Sequence, residues 1–186
     1  TFTMLTPNSP ALEANTTYFI TVAANWGDAF VQSATNLSTP TLAFLPGLPA
    51  GVAFPLVHHT SATAAWSTGG NPVGVTTYTV TFSTGVLPNS YTGNVTISSL
   101  TFTLAPEAEV TTLVPNTTYF AHVAALNHAG AITAYRLVGS TATRANEPLT
   151  AVTTFSAVTD QSLSLNWNAN GNPLGITSYT IVASTA

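Results

Sequence analysis

Apolar side chains recur at every second position in several short stretches of the chain. The apolar positions of three such stretches are Tyr78, Val80 and Phe82; Leu163, Leu165 and Trp167; and Tyr119, Ala121, Val123 and Ala125. A period of two is that of an antiparallel strand with one buried face. Turn-forming strings such as GGNP (residues 69–72) and NHAG (residues 127–130) separate the stretches. The pattern predicts an all-β chain of half-buried strands, and no long window has the 3.6-residue period of an amphipathic helix.

The pattern also repeats at one fixed offset. The string NTTYF begins at Asn15 and again at Asn116, 101 positions later. Trp66 is followed by GGNPVGVTTYTV, and Trp167, also 101 positions later, by ANGNPLGITSYTI. Chance does not produce several matches at one offset. A period of this length is too long for a helical solenoid unit and predicts tandem copies of a β-sandwich of about 100 residues.

One segment resembles a known family. Residues 113–130 follow the pattern L-x-P-x-T-x-Y-x-x-x-V-x-A-x-N-x-x-G, which is similar to the E–F corner and F strand of fibronectin type III domains. By the same resemblance, Trp66 and Trp167 match the core tryptophan of strand B, and Tyr78 and Tyr179 match the tyrosine of strand C. The resemblance covers essentially the whole chain. It implies tandem fibronectin-type-III-like, or immunoglobulin-like, antiparallel β-sandwiches.

The resemblance gives the repeated NTTYF string a structural role. Tyr119 is expected to point inward and to return its hydroxyl to the backbone near Leu113, as in a tyrosine corner. A buried phenol needs such a partner. Tyr18 is expected to do the same near Leu12. The predicted structural core comprises Leu12, Tyr18, Trp66, Tyr78, Leu113, Tyr119, Trp167 and Tyr179.

The register of the repeat divides the chain into three parts. Residues 1–43 match the later half of a domain (strands C′, E, F and G), residues 45–145 a complete domain, and residues 146–186 the earlier half (strands A, B and C). The two end parts are complementary, and each alone would expose an apolar face and unpaired edges. Two explanations stay open. The chain is a window of a longer array cut at an exposed loop, or the C-terminal half of one subunit joins the N-terminal half of the next.

Composition narrows the classes of partner. Charged residues make up 4% of the chain, against about 25% in typical soluble domains. There is no lysine, the net charge is −4, and Arg136 and Arg144 are the basic side chains apart from histidine. This argues against nucleic acid and against an anionic membrane surface, and no apolar run reaches the ~18 residues of a membrane span. Few charges and many hydroxyls suit an exported, extracellular or cell-surface protein.

Candidate chemistry is sparse, and no catalytic, cofactor or metal site is predicted. The histidines, which are His58, His59, His122 and His128, are expected at the surface or in loops. Cysteine is absent and carboxylates are few, whereas a metal site needs three or four convergent ligands. Glu107 and Glu109 are expected in a solvated turn rather than as a catalytic pair. No nucleophile-elbow or nucleotide-binding string occurs, so the chain is predicted not to be an enzyme.

Two further sets of residues suggest surface roles. The sequons at Asn15, Asn36, Asn94 and Asn116 are candidates for glycosylation on a secretory route. Phe19 and Phe120 alternate with Tyr18 and Tyr119, so they should face outward at one site per repeat. We expect them to be candidates for lateral packing between copies.

These observations favour a structural role. The expected function is that of a fibre, stalk or surface appendage built head to tail from copies of the chain, each junction burying roughly 2,000 Å² or more. The alternative is a spacer or binding module within a larger secreted adhesin or carbohydrate-active enzyme. Flanking sequence would discriminate, because further 101-residue copies favour the fibre and a catalytic domain favours the spacer.

Overall fold

The computed structural model describes residues 11–21, 23–26, 29–32, 37–85, 94–104 and 113–185. In chain order the strands are β1 Thr17–Ile20, β2 Ala23–Trp26, β3 Ala29–Gln32, β4 Leu37–Pro40, β5 Leu56–Val57, β6 Ala62–Ala65, β7 Thr77–Ser83, β8 Asn94–Ile97, β9 Thr101–Leu104, β10 Thr118–Leu126, β11 Arg136–Ala142, β12 Leu149–Ser156 and β13 Ser164–Asn168. Every pairing among them is antiparallel. Within these ranges there is no helix, and hence none long and apolar enough to cross a membrane. The predicted all-β fold class is confirmed.

Two sheets built from β5 to β11 pack face to face, and we call this unit the central sandwich. One sheet has the order β5-β6-β9 and the other the order β11-β10-β7-β8. In fibronectin lettering these orders are A–B–E and G–F–C–C′. Val80 of β7 stands opposite Val123 of β10, and Ala64 of β6 stands opposite Phe102 of β9. The chain therefore has a β-sandwich fold.

A single apolar cluster fills the space between the two sheets. Its buried members are Ala62, Ala64, Trp66, Tyr78, Val80, Phe82, Leu113, Tyr119, Ala121, Val123, Ala125 and Val138. They are the alternating positions of β6, β7 and β10 together with neighbouring residues. Burial of each large side chain contributes about 1.5–3 kcal/mol to folding, so this cluster is the main source of stability of the central sandwich.

The turn between β6 and β7 holds the chain segment that enters the sandwich. Gly69 has a φ of 65°, and a Cβ at this position would overlap the backbone carbonyl of Leu45. Asn71 is buried; its Oδ1 accepts a hydrogen bond from Phe44 N (2.7 Å), and its Nδ2 donates to the Phe44 carbonyl (2.8 Å). The turn and the entering segment are thereby fixed to each other.

Shorter hairpins precede and follow the central sandwich in the sequence. β1 pairs with β4, β2 with β3, and β12 with β13. The β12–β13 register shifts between Thr150 and Phe155. By sequence offset, β1 corresponds to the first half of β10, and β13 corresponds to β6.

One predicted strand differs from the structure. Residues 177–185, expected to form the third strand of the C-terminal part, carry no strand pairing among the described residues. Their counterpart 101 positions earlier, β7, is hydrogen-bonded to β10 on one edge and to β8 on the other. A strand is defined by its neighbours, and here the described residues supply none. The predicted strands at the start of the chain fall on residues 1–10, outside the described ranges.

The centre of the larger sheet also differs from the prediction of half-buried strands. On the face of β7 turned away from the apolar cluster, Thr79, Thr81 and Ser83 are buried, and on β10 so are His122 and Ala124. The expectation that His122 lies at the surface or in a loop is therefore wrong. Alternation shows which side chains share a face, but it does not show whether the second face is covered as well.

Candidate functional site

The repeated NTTYF string forms the same hydrogen bond in both copies. The backbone N–H of Val114 donates to the Tyr119 hydroxyl at 2.9 Å, and the backbone N–H of Glu13 donates to the Tyr18 hydroxyl at 2.8 Å. Tyr119 and Leu113 are buried. Leu12, which was predicted to belong to the core, is 43% exposed. The local bond therefore forms in both copies, whereas Leu12 lacks the apolar packing that Leu113 has in the central sandwich.

The asparagine of the first NTTYF string contacts two loops of the central sandwich. Asn15 is 1% exposed. Its Nδ2 donates to Thr76 Oγ1 at 3.0 Å, and its Oδ1 accepts from His128 N at 2.8 Å. Two further contacts join the same regions: Asn127 Nδ2 donates to the Thr41 carbonyl, and Thr17 Oγ1 lies 3.2 Å from His128 Nδ1. We call this set of contacts the first junction.

One contact of the first junction recurs 101 positions later, and we call it the second junction. Asn116 Nδ2 donates to Thr177 Oγ1 at 2.9 Å, and Asn116 and Thr177 are the counterparts of Asn15 and Thr76. Both asparagines adopt a left-handed backbone, with φ of 45° and 47°. Asparagine tolerates this conformation better than most residues. The same two residue types therefore join consecutive parts of the chain at equal spacing.

The segment after the central sandwich reproduces the first half of that sandwich locally. Asn172 Oδ1 accepts from Asn146 N at 2.7 Å, and its Nδ2 donates to the Asn146 carbonyl at 2.9 Å, as Asn71 does for Phe44. Trp167 and Tyr179 form an edge-to-face pair with ring centroids 5.3 Å apart, and the centroids of Trp66 and Tyr78 are 5.6 Å apart. The turn and the aromatic pair of this segment are therefore arranged as in the central sandwich.

The apolar face of this segment is open. Trp167 is 39% exposed, whereas Trp66 is 4% exposed. Ile181 is 56% exposed, whereas its counterpart Val80 is fully buried. A cleft of about 300 Å³ runs along the face, and its lining includes Leu149, Leu165, Trp167, Tyr179, Ile181 and Val182. We call it the open cleft; nothing in the described residues covers it.

Strand β1, which precedes the central sandwich, has one neighbouring strand fewer than its counterpart β10 among the described residues. Within the described residues β1 pairs with β4 alone, while its counterpart β10 pairs with both β11 and β7. One edge of β1 therefore has no partner strand among the described residues. The residues that would occupy this edge in the pattern of the central sandwich are the counterparts of β7, residues 178–184.

The titratable candidates do not converge. His58, His59 and His128 are exposed, and the described ranges contain no group of three potential metal ligands. Burial lowers the pKa of His122, and the backbone of Phe120 acts in the opposite direction. Glu107 and Glu109 lie outside the described residues. Within the described ranges, the titratable side chains therefore form no cluster.

The sequons and the outward phenylalanines have different surroundings. The amide nitrogens of Asn15 and Asn116 already donate hydrogen bonds, so a glycan on either would displace a junction contact. Asn36 and the side chain of Asn94 fall outside the part of the chain that the structure describes. Phe19 is largely exposed, whereas Phe120 is half-buried.

Sequence reasoning missed the junction residues Thr76 and Thr177 and the turn residues Asn71 and Asn172. All four belong to the strings GNPVGVT and GNPLGIT, which were interpreted only as turns. The available signal was their recurrence at the same offset as Asn15 and Asn116. Two polar residues that keep a common spacing over two copies are candidates for a contact between copies.

The chain is similar to a segment of two fibronectin type III domains from chicken tenascin, with 20% identity over 72% of this chain and 68% of that chain and a TM-score of 0.47. It is also similar to domains d3–d4 of the extracellular region of rat CD45, with 16% identity over 77% of this chain and 75% of that chain and a TM-score of 0.43. The fibronectin type III domain of human fibronectin type III domain containing protein 3 shows 18% identity over 60% of this chain and 93% of that chain, with a TM-score of 0.39.

No family model and no curated protein matches the chain. At such identities and TM-scores, the three similarities are fold-level only. The fold assignment rests on the strand order and register of the central sandwich.

Proposed function

We propose that the chain is a structural segment of an extracellular fibre or surface appendage, assembled head to tail from fibronectin-III-like sandwiches. Residues 1–43 and 146–186 act as the later and earlier halves of a sandwich, and residues 45–145 form a complete one. The C-terminal half of one copy is completed by the N-terminal half of the next. Catalysis has no part in this function.

The observation that carries the proposal is the difference in exposure between counterpart residues. Trp66 and Val80 are buried by the second half of their own sandwich, whereas Trp167 and Ile181 are exposed. Exposing an apolar face that includes Trp167 and Ile181 to water costs free energy, and such a face is typical of an interaction site. The Asn172 turn and the Trp167–Tyr179 pair hold this face in the arrangement that the central sandwich uses.

The occupant we propose is β1 with β4 from a second copy. In the central sandwich Phe120 of β10 stands opposite Ser83 of β7. The counterparts of these residues are Phe19 of β1 and Ser184; among the described residues, one edge of β1 and both edges of residues 178–184 have no partner strand. If they paired, β4 and β1 of one copy and residues 178–184 of the other would form one sheet. Its strand order would match the order β11-β10-β7 of the central sandwich. This is strand addition, in which main-chain hydrogen bonds give affinity and apolar burial gives stability.

The two junctions support a regular head-to-tail spacing. Asn15 with Thr76 and Asn116 with Thr177 place each unit on the next through the same contact. A heterologous contact that repeats without closing generates a filament. The few charges of the chain favour close packing of units over solubility as monomers.

Two surface proposals accompany the fibre. Phe19 and Phe120 are proposed to mediate lateral packing; Phe120→Ser should then reduce bundling and leave single fibres intact, and unchanged bundling would reject this role. Glycans are proposed at Asn36 and Asn94, since the amides of Asn15 and Asn116 are engaged in junctions. An intact mass equal to the sequence mass would reject them.

The test is a pair of substitutions at exposed apolar positions. Ile181→Asp places a charge in the open cleft, where completion of the sandwich would bury it, so the critical concentration for assembly should rise about tenfold or more. Leu174→Asp is the matched control: Leu174 is 85% exposed, and its counterpart Val73 is 77% exposed although its sandwich is complete.

Sedimentation of the assembled chain measures both variants. We expect loss of pelletable material for Ile181→Asp and normal assembly for Leu174→Asp. Equal behaviour of the two variants, or a natural chain that stays monomeric at high concentration, would contradict the proposal and favour a spacer module.

A further inference from the structure

One pair of facing residues in the central sandwich has counterparts of exchanged size in the two end parts of the chain. Phe82 of β7 stands directly opposite Ala121 of β10, and both are fully buried in the apolar cluster. The residues 101 positions away from them are Ala183 and Ile20. The earlier half supplies the large side chain in the central sandwich, whereas the later half would supply it in a sandwich completed by a second copy.

Both counterparts are accessible in the single chain. Ile20 is the last residue of β1 and is 37% exposed, in contrast to the buried Ala121. It borders a groove of about 110 Å³, and the lining of this groove also includes Leu12 and Tyr18. Ala183 is exposed as well and has no strand neighbour among the described residues. The larger and the smaller member of the exchanged pair are therefore both available to a second copy.

We propose that Ile20 of one copy packs beside Ala183 of another, and that this pair makes the two end parts specific for each other. This inference rests on the proposed function. In the register of β7 and β10, Ile20 and Ala183 would stand directly opposite each other. Directly opposite side chains have Cβ atoms about 4.5–5.5 Å apart, so their sizes must match. Alanine at position 183 leaves room for isoleucine, because phenylalanine fills the equivalent space in the central sandwich.

The exchange of sizes disfavours the two mistaken pairings that the repeat permits. If β10 of another copy took the place of β1, Ala121 would stand opposite Ala183 and leave a cavity. If β1 of another copy displaced β10, Ile20 would stand opposite Phe82 and overfill the core. Cavities and overfilled cores both cost free energy, and such differences between partners give specificity. The pair therefore directs β1 to the C-terminal part of another copy and leaves the central sandwich closed.

Leu163 is the alternative source of the volume that is missing at Ala183. It is the counterpart of Ala62, which is buried in the apolar cluster, and it is 59% exposed. Leu163 lies in the same chain as Ala183, so packing between these two residues would need no second copy. A test of the proposal therefore has to separate Ile20 from Leu163.

The test uses two single and two double variants. Ala183→Phe and Ile20→Ala each change one side of the proposed pair, and Ile20→Ala with Ala183→Phe restores the sizes found in the central sandwich. Leu163→Ala with Ala183→Phe is the matched control. Sedimentation measures the critical concentration for assembly of each variant. Urea unfolding of the dispersed chains should give one common value for the central sandwich, because none of the three residues belongs to its cluster.

We expect each single change to raise the critical concentration about tenfold or more, Ala183→Phe by overfilling the core and Ile20→Ala by leaving a cavity. The double variant Ile20→Ala with Ala183→Phe should assemble within about threefold of the natural value, because the two changes compensate each other. Leu163→Ala with Ala183→Phe should stay as impaired as Ala183→Phe alone.

Three results would overturn the proposed pair: single changes without effect, failure of Ile20→Ala to rescue Ala183→Phe, or equal rescue by Leu163→Ala. In each of these cases the proposed fibre stands if Ile181→Asp still blocks assembly. If the natural chain does not assemble, both the pair and the fibre are wrong.

Discussion

At the scale of single residues, two buried tyrosines of the central sandwich have opposite surroundings. The Tyr119 hydroxyl accepts a hydrogen bond from Val114 N at 2.9 Å. The Tyr78 hydroxyl is buried and forms no hydrogen bond of ordinary length and angle within the described part of the chain. Burial raises its pKa, and the nearby Asn71 side chain only partly offsets that rise. A buried polar group without a partner costs free energy, whereas a paired one contributes modestly. The two phenols should therefore respond differently to loss of the oxygen.

Tyr119→Phe should lower the free energy of unfolding by about 1–2 kcal/mol, because it leaves the Val114 N–H without its acceptor. Tyr78→Phe is the matched control: it removes the same atom from the same core and should leave the free energy unchanged or slightly raise it. Urea unfolding of both variants measures the difference. Equal destabilisation would show that the corner bond of Tyr119 does not contribute specifically.

His122 should make stability depend on pH. Burial lowers its pKa in the folded state, so below about pH 6.5, the ordinary value for histidine, the unfolded chain binds this proton more readily than the folded chain. The free energy of unfolding should therefore fall as pH decreases from about 6.5 towards the folded-state pKa, and this contribution should be flat above 6.5. His122→Gln should reduce the slope and the exposed control His58→Gln should not. A slope unaffected by His122→Gln would assign it to another group.

At the residue scale, the sequence predicts which face of a strand a side chain occupies, but it does not predict whether that face is buried. Alternation in β10 correctly separates Tyr119 and Val123 from Phe120 and His122, because side chains of a strand point to opposite faces. It could not show that His122 is buried, since coverage of the second face depends on distant parts of the chain. Thr76 was missed for a related reason: its partner Asn15 lies 61 positions away.

At the scale of elements, residues 177–185 and β7 have similar sequences in different states. The strings TTYTVTF and TSYTIVA share the tyrosine and the alternation. β7 has a neighbour on each edge, whereas residues 177–185 have none in the described structure. The sequence could predict strand propensity for both, but pairing requires a partner that propensity does not supply.

Within residues 179–183, the backbone amides that point towards the added β1, which are every second one, should become protected from hydrogen exchange when the chain assembles. In the dispersed chain they lack β-ladder partners, and in the assembled material a second copy's β1 would provide them. The amides of β7 should be protected in both states, and those of the loop residues 174–176 in neither. Exchange of residues 179–183 at the same rate before and after assembly would argue against strand addition.

At the scale of the whole molecule, one spacing governs the arrangement of units. The tyrosine corner, the asparagine clamp at the turn before β7 and the asparagine–threonine junction all recur at about 101 positions. The offset was predictable from repeated letters, and the complementarity of the two ends stays a prediction. The contacts of Asn15 with Thr76 and His128 could not be predicted, because NTTYF serves two purposes: the tyrosine closes a corner within a unit, and the asparagine contacts the next unit.

The most direct test of completion by a second copy is a designed disulfide. The chain has no cysteine, so Phe19→Cys with Ser184→Cys introduces a single pair. If β1 and residues 178–184 of two copies pair as β10 and β7 do, the two Cα atoms lie about 4.5–5.5 Å apart, within reach of a disulfide. Phe19→Cys with Thr180→Cys, displaced by roughly 13 Å along the strand, is the control. We expect oxidation of assembled protein to give a ladder of covalent multimers for the first pair and monomers for the second; monomers from both pairs, or equal ladders, would contradict the account.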